Sequence, residues 1–386
     1  MGVVQPSKSP WASPLVPVKK KDGIVRWAVD FRRLNALTLA DRYPIPNLTS
    51  LLEKAGGHQI YSTLDAASAY FAIPMASESI SATAFCCPLG LFEFLRMPFG
   101  LANAPSVYSR FVALALSHLG TTDLNVYFDD VLLFSNDLFV HADRLDQVLE
   151  AHGRAGILIK PSKTFLFQSH VHYLGHDLSS SGISMIDEYV QKIVDWPVPT
   201  TGKDLASCLG FFSYYRSFIP NYSLLTSDMN TQKYFPVITW SPKMKEDFQT
   251  LKDAFSKGPI RAAPDFTSGE ELILTTDYSS EAVGWVLSQI QGGRERMIAA
   301  GGRKCNSAER HYPSWKGEMI ALVTGIRKWD HLLGARRFKV CTDSSPLTHM
   351  LSLRMTRGII QRWLQEAVFL PRAAQTWKAE LQCRWD

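Results

Sequence analysis

Two periods run through the apolar positions of this chain, and they sort it into strands and helices. Residues 15–19 and 24–31 read as strands, and Lys21-Asp22-Gly23 supplies the turn between them. Residues 48–54 fit a short helix closed by Gly56-Gly57, and 60–65 fit a strand that ends on Asp65. Residues 66–70 then make a tight or helical turn, and 92–97 lead into a loop that closes on Pro105. From 106 to 119 the spacing of Val107, Phe111, Leu114 and Ala115 is helical. Two short apolar runs follow, 126–128 and 131–134, and they meet at Asp129 and Asp130, at or beside the turn of a hairpin. Leu145, Val148 and Leu149 mark an amphipathic helix over 141–155, stopped at Gly156. Strands return at 165–167 and 171–174. The order predicts an α+β sheet layered with helices, in which Asp65 can lie beside the Asp129-Asp130 turn despite their separation in sequence.

After residue 187 the strand signal fades. Helices carrying Trp196, Phe211, Phe212, Tyr214, Tyr215, Phe218 and Phe248 extend to about 257, and the aromatics read as a helical core before they read as base-stacking platforms. The Pro-, Ala- and Gly-rich stretch 259–270 is a candidate domain boundary. A second α/β pattern then begins: a strand at 272–277 ending in Asp277, an antiparallel return at 284–288, and a long helix opening at Glu318. A further strand, 338–343, ends in Asp343. There is no internal repeat.

With 386 residues, 46% of them hydrophobic, the chain can bury two or three cores. The net charge of +5 is too small to imply nucleic-acid binding by itself, although Lys19, Lys20, Lys21, Arg26, Arg32 and Arg33 crowd the early part. The six cysteines show no C-x-x-C spacing, which suits a reducing, intracellular setting. His170, His172 and His176 lack cysteine or acidic neighbours at zinc-ligand spacing. No stretch is long and apolar enough for a bilayer span, so a soluble protein is expected.

Adjacent carboxylates repel, so Asp129-Asp130 needs a reason. Both side chains can simply face water, since Asp favours turns. They can equally serve a divalent cation, because Mg2+ takes one or two carboxylates and completes its shell with substrate phosphates. Asp277, Glu318 and Asp343 form a second set on strand, helix and strand, with strand-end or helix-end charge as the structural alternative. Two such sets on one chain suit two-metal phosphoryl chemistry.

The motifs Ser9-Pro10-Trp11-Ala12-Ser13-Pro14, Val18-Lys19-Lys20-Lys21-Asp22-Gly23, Val29-Asp30-Phe31-Arg32 and Leu64-Asp65 occur in a fixed order. Met97-Pro98-Phe99-Gly100-Leu101, Asn103-Ala104-Pro105, Tyr127-Phe128-Asp129-Asp130 and Tyr173-Leu174-Gly175-His176 continue it. Together they resemble the reverse transcriptase of gypsy-like LTR retrotransposons. Trp196-Pro197, Leu209-Gly210, Tyr214-Tyr215-Arg216 and Pro264-Asp265-Phe266 extend the likeness, and Thr276-Asp277, Gly317-Glu318 and Thr342-Asp343 resemble the ribonuclease H domain of the same family.

The resemblance implies a right-hand polymerase fold, with fingers and palm over 1–182, a thumb or connector over 183–262 and a ribonuclease H-like α/β domain over 263–386. It implies two Mg2+ per active site, with Mn2+ as a substitute, and RNA template, DNA primer, RNA–DNA hybrid and dNTPs as partners. Asp65, Asp129 and Asp130 become the polymerase triad, and Lys20 and Arg26 the grip on the incoming triphosphate, where Arg offers a bidentate fork. Tyr70 becomes the steric gate against a 2′-hydroxyl, Phe99 and Gly100 the loop under template and nucleotide, and Lys163 a general acid to the leaving pyrophosphate. Tyr173, Leu174, Gly175 and His176 become the primer grip. Asp277, Glu318 and Asp343 would hold the ions that cut RNA in a hybrid, recognised by groove shape and 2′-hydroxyls.

Three departures stand out. No fourth acid of the family's late Ala-Asp type follows Arg362-Trp363-Leu364, which predicts a domain truncated or divergent after about 363 and a weak or absent nuclease. Trp285 stands where the family prefers a small residue. The preceding finger helix, a protease motif, an integrase and a zinc knuckle are all missing, as expected for a piece of a polyprotein. The competing readings are a non-catalytic relic that keeps nucleic-acid binding and an RNA-dependent RNA polymerase, the latter disfavoured by Tyr70 and the nuclease-like tail.

Overall fold

Strand pairing in the first unit, Met1–Tyr173, produces two sheets. The structure, a computed structural model, describes every residue except 1, 20–22, 24, 45, 121, 220, 259, 267, 335, 343–378 and 381–386. In chain order the strands of this unit are β1 (Val4–Pro6), β2 (Ser13–Lys19), β3 (Val25–Val29), β4 (Ile60–Asp65) and β5 (Phe85–Cys87). They continue with β6 (Gly90–Phe94), β7 (Leu124–Tyr127), β8 (Asp130–Ser135), β9 (Phe165–Gln168) and β10 (His170–Tyr173). One sheet runs β1-β6-β5-β2-β3 and the other β7-β8-β4-β9. The β2–β3 hairpin pairs Leu15 with Val29, so the second strand stops short of Phe31, which is buried just before helix α1 (Arg32–Leu37).

The helices α2 (Leu48–Ala55), α3 (Ser77–Ile80), α4 (Ala104–Ala115) and α5 (Leu138–Arg154) complete the unit. Helix α5 starts earlier than its apolar period suggests because Asp137 caps it, its Oδ1 accepting from the N–H groups of Phe139 and Val140 at 2.9 Å. Leu64 of β4, Val131 and Leu133 of β8, Tyr108 and Val112 of α4, and Leu145 and Val148 of α5 share one buried core. Helices α4 and α5 therefore cover the four-stranded sheet whose strand ends carry Asp65 and Asp130. A buried polar tie fixes α5 to the strands: the His141 ring lies 2.8 Å from the Ser62 hydroxyl and 2.9 Å from that of Ser135. Burial lowers the pKa of His141, which keeps the ring neutral in this tie.

The second unit, Leu174–Asp386, begins with the hairpin of β11 (His176–Ser179) and β12 (Gly182–Met185). Helices α6 (Asp187–Val194), α7 (Gly202–Tyr214), α8 (Tyr222–Leu225), α9 (Ser227–Gln232) and α10 (Pro242–Ser256) follow. Their aromatics pack on one another: Phe212 stacks on Phe248 at 6.0 Å and meets Phe255 at 5.5 Å, with Trp196 against both Phe211 and Phe212. The last part is a sheet of β13 (Leu272–Tyr278), β14 (Ala282–Gln291), β15 (Arg294–Lys304) and β16 (Phe338–Cys341), in the order β15-β14-β13-β16, with Ala379–Glu380 paired at the far edge. Helix α11 (Ser314–Lys328) packs on it, followed by α12 (Asp330–Leu333).

Trp285, expected to be small, is accommodated by its neighbours. Its partner across the ladder is Gly301, where any Cβ would collide with the indole, and Gly325 of α11 leaves room on the other side. The ring is thereby buried in the core of this sheet. Helix α11 also starts earlier than expected, after Pro313, so Glu318 falls in its second turn instead of opening it.

Candidate active site

Antiparallel pairing of β4 and β8 places Asp65 directly opposite Asp130. Tyr127 pairs with Asp130 across the β7–β8 hairpin, leaving Phe128 and Asp129 as its two-residue turn. Phe128 sits at φ 53°, in the left-handed region that a bulky residue rarely adopts and that tends to be kept at functional turns. The turn carries Asp129 to the strand end where Asp65 and Asp130 meet. The Asp130 carboxyl is raised first by desolvation and then by repulsion from Asp129 and Asp65, with Lys163 pulling the other way. Asp130 still has solvent access, so this is crowding of like charge around an open site.

Lys163 reaches this end from the turn Pro161–Lys163. Its Nζ lies 3.0 Å from Asp65 Oδ2, and that hydrogen bond is the main reason its pKa is raised. Backbone pairing explains the placement: Lys160 N–H donates to the Asp65 carbonyl and Ala67 N–H to the Leu158 carbonyl, so the segment before the turn runs beside Asp65. Tyr70 stands on a short 3-10 turn, Ala69–Ala72, with its ring 4.9 Å from Phe99 and 5.6 Å from Tyr108. Burial, and next the Asp129 charge, raise its pKa, so the phenol is a neutral, half-buried wall beside the acids.

Phe99 and Gly100 are held by a residue that the sequence reading passed over. Asn35 of α1 donates from Nδ2 to the Gly100 carbonyl and accepts from the Ala102 N–H, both at 2.8 Å. Gly100 has φ 96°, which a side chain would strain. Asn35 carries no sequence signal for this task, because its partners lie 65 and 67 positions away. Tyr108, fully buried behind Tyr70, was likewise not singled out.

Of the expected triphosphate grip, Lys20 lies outside the described residues, and Arg26 can be placed only by its backbone, on β3 opposite Val18. The expected primer grip falls into two parts. Tyr173 is the last residue of the first unit, buried, with its pKa raised mainly by desolvation. In the second unit Leu174 and Gly175 take φ values of 46° and 72°, and the hydroxyls of Tyr214 and Tyr215 donate to their carbonyls at 2.7 and 2.8 Å. The sequence marks these two tyrosines at the end of α7 as core aromatics and as part of the family-like motif, with no sign of this contact.

His176 is buried, stacks on Phe218 at 5.8 Å and bonds the Leu174 carbonyl through Nδ1. Burial is the main cause lowering its pKa from 6.5 to about 4. The unfolded chain therefore takes up this proton first. The neutral ring contributes its full stability above about pH 6.5 and loses it as the pH falls toward 4. Thermal melts of the wild type and His176→Phe should converge across that window; a gap that stays constant with pH would refute the assignment.

In the second constellation, Glu318 of α11 is buried and its Oε1 accepts from the Tyr278 N–H at 2.9 Å, the residue next to Asp277 on β13. Strand β16 runs parallel to β13 and reaches Cys341 opposite Thr275. Asp277 and Glu318 are thus brought to one end of this sheet, while Asp343 lies outside the described residues. Among the described residues no three His, Cys, Asp or Glu side chains are grouped closely enough to hold an ion by themselves. A site of one or two carboxylates completed by substrate phosphates needs no such group, and the crowded negative charge at Asp65, Asp129 and Asp130 suits divalent cations.

Comparison with known proteins matches two stretches of the chain. Residues 18–178 match the reverse transcriptase (RNA-dependent DNA polymerase) family, and residues 267–368 match the RNase H-like domain found in reverse transcriptase. The Retrovirus-related Pol polyprotein from transposon 297 of Drosophila melanogaster is 34% identical over 369 residues, covering 94% of this chain and 34% of the relative. That from transposon opus is 35% identical over 381 residues, covering 94% and 38%. The Transposon Tf2-3 polyprotein of Schizosaccharomyces pombe is 31% identical over 347 residues, covering 89% and 26%. The chain thus spans about a third of the length of these curated relatives. Among solved structures, the foamy viral protease-reverse transcriptase dRH in complex with double-stranded DNA aligns with TM-score 0.86 at 21% identity, covering 99% of this chain and 68% of that one. The foamy viral protein in complex with an RNA/DNA hybrid aligns at 0.79 and 20%, covering 99% and 52%. At that identity the likeness shows the fold alone: the right-hand polymerase fold, followed by an RNase H-like domain.

Proposed function

From a chain that carries the reverse transcriptase and RNase H-like domains of a transposon Pol polyprotein, we propose an RNA-directed DNA polymerase of a gypsy-like LTR retrotransposon, working in the cytoplasm. One observation carries this reading: the pairing of Asp65 with Asp130, with Asp129 on the turn between them and the hairpin partner. When bound there, Mg2+ supplies positive charge to the attacking 3′-hydroxyl and to the triphosphate of a dNTP.

The residues of the chain do the positioning. Asp65 and Asp129 are the main ligands and Asp130 supports them. Lys163, held on Asp65, stands ready to move onto the leaving pyrophosphate as its proton donor. Lys20 and Arg26 grip the triphosphate, and Phe99 and Gly100, pinned by Asn35, form the floor under nucleotide and template. Leu174, Gly175 and His176, with Tyr173, hold the primer end. Asp277, Glu318 and Asp343 serve cleavage of RNA in the RNA–DNA hybrid, at a reduced rate.

Primer extension on an RNA template tests the reading. Full-length DNA is expected with Mg2+ and dNTPs and none with ribonucleotides; absence of extension by folded protein overturns it. Tyr70 packs its ring on Phe99 beside Asp129, where a sugar would lie. Tyr70→Ala is therefore expected to admit ribonucleotides at least about tenfold better relative to dNTPs, a discrimination of the size one steric contact provides. An unchanged ratio would remove Tyr70 from the site.

A further inference from the structure

A cavity of about 370 Å3 opens behind the acidic turn, within the size range of ligand pockets. Its walls come from the segment before α2, from α2, from α4 and from β7, and the turn residue Phe128 lines it. Pro44, Leu51 and Ala113 make the lining apolar. Two of its polar residues, Asn125 and Lys54, stand out. Asn125, fully buried, donates from Nδ2 to the Leu51 carbonyl at 2.7 Å and leaves its Oδ1 with no hydrogen-bond partner. Lys54 donates to the Leu124 carbonyl at 2.9 Å, with its Nζ 5.4 Å from the Phe134 ring.

We propose that this cavity binds a compact aryl carboxylate, with the carboxylate on Lys54 and a ring hydroxyl offered to Asn125, and that its occupant acts on Asp129 through Phe128. Among the described residues of the lining, Lys54 is the one that carries a charge. The nearby Asp123 favours the ammonium, but its own carboxylate is bonded to Arg144 at 2.8 Å. The ammonium is half desolvated, and burial is the main cause that lowers its pKa to about 8, so an anion brought beside it gains more than it would at the surface. An ammonium keeps further N–H donors beyond the one given to Leu124. A flat aromatic body suits the apolar walls. Phe128 holds Asp129 through a left-handed backbone, so a molecule packed against Phe128 alters how Asp129 is presented without standing where a nucleotide would.

The consequence for catalysis rests on the polymerase reading; the binding does not. The test uses the full chain and hydroxynaphthoate, with binding followed by fluorescence and by ligand-observed NMR. Saturable binding is expected, weakened at least about tenfold by Lys54→Met and by Ala113→Phe, which acts from a different wall. Thermal melts identify variants that still fold. Saturating ligand is expected to lower kcat of primer extension without raising KM for dNTP. No binding, or binding that neither variant weakens, overturns the site. Inhibition that is competitive with dNTP, or binding without any effect on kcat, overturns the link to Asp129. Binding by a chain that extends no primer would sink the polymerase reading and leave the pocket standing.

Discussion

Replacing Asp129 by Asn is expected to reduce nucleotide addition on the order of a thousandfold or more while leaving the fold intact. The size follows from what the carboxylate does. Removing a preorganised electrostatic partner of the developing charge costs about 100- to 1,000-fold, and a lost metal ligand adds the cost of weaker ion binding. The fold is spared because Asp129 sits on a two-residue turn, exposed, and anchors no strand. Asn is close in size and suits turns as well as Asp does. Asp65→Asn should match it in activity and also release Lys163, whose bond to Asp65 Oδ2 is its main perturbation. Asp130→Asn should be milder, because desolvation, and next the like charges of Asp129 and Asp65, already oppose ionisation of that carboxyl. Single-turnover extension rates for the three variants, set beside their melting curves, check the ranking. Near-wild-type turnover in Asp129→Asn would remove the triad from the mechanism.

Gly317→Ala is expected to damage the second unit well beyond its size. A Cβ on Gly317 would lie inside the ring of Tyr278, so the tyrosine must leave the face of α11. That movement has a chemical price as well as a steric one. The Tyr278 N–H is the donor that fixes Glu318 Oε1, and the Tyr278 hydroxyl donates to the Glu309 carbonyl at 2.6 Å. One added methyl thus pushes the ring off the helix and breaks its hydroxyl bond, beside the acid that the Tyr278 N–H holds. Forced overpacking costs about 1–3 kcal/mol, and the lost neutral hydrogen bond adds about 0.5–1.5 kcal/mol. A fall of about 2 kcal/mol or more in stability is expected, with hybrid cleavage reduced in molecules that remain folded. A variant that melts like wild type would mean that Tyr278 can rotate away freely.

How much of this was legible in the sequence depends on distance along the chain. The carboxylate hairpin was read correctly because its signal is local: two apolar runs meeting at two acids. The α+β layering followed from alternating periods. Strands β1, β5 and β15 were not read, because they are short or, in β15, broken by Gly301 and Gly302, and because pairing with distant partners makes them strands. The start of α5 was misjudged because a capping side chain, not the apolar period, sets it. Asn35 and the Tyr214–Tyr215 pair were invisible as site supports for a related reason. Each acts on a carbonyl or amide at least 40 positions away, and nothing in the residue itself announces the partner.

The exchange of bulk between Trp285 and Gly301 has a bearing on how copies of this element can diverge. The indole occupies the volume that a side chain at position 301 would need, so the two sites are locked in size. Shrinking Trp285 alone hollows out the interior, and enlarging Gly301 alone forces a clash. Descendant lineages are therefore expected to carry either a wide residue with glycine or a narrow one with a larger neighbour, and to cross between these states only through a weakened intermediate.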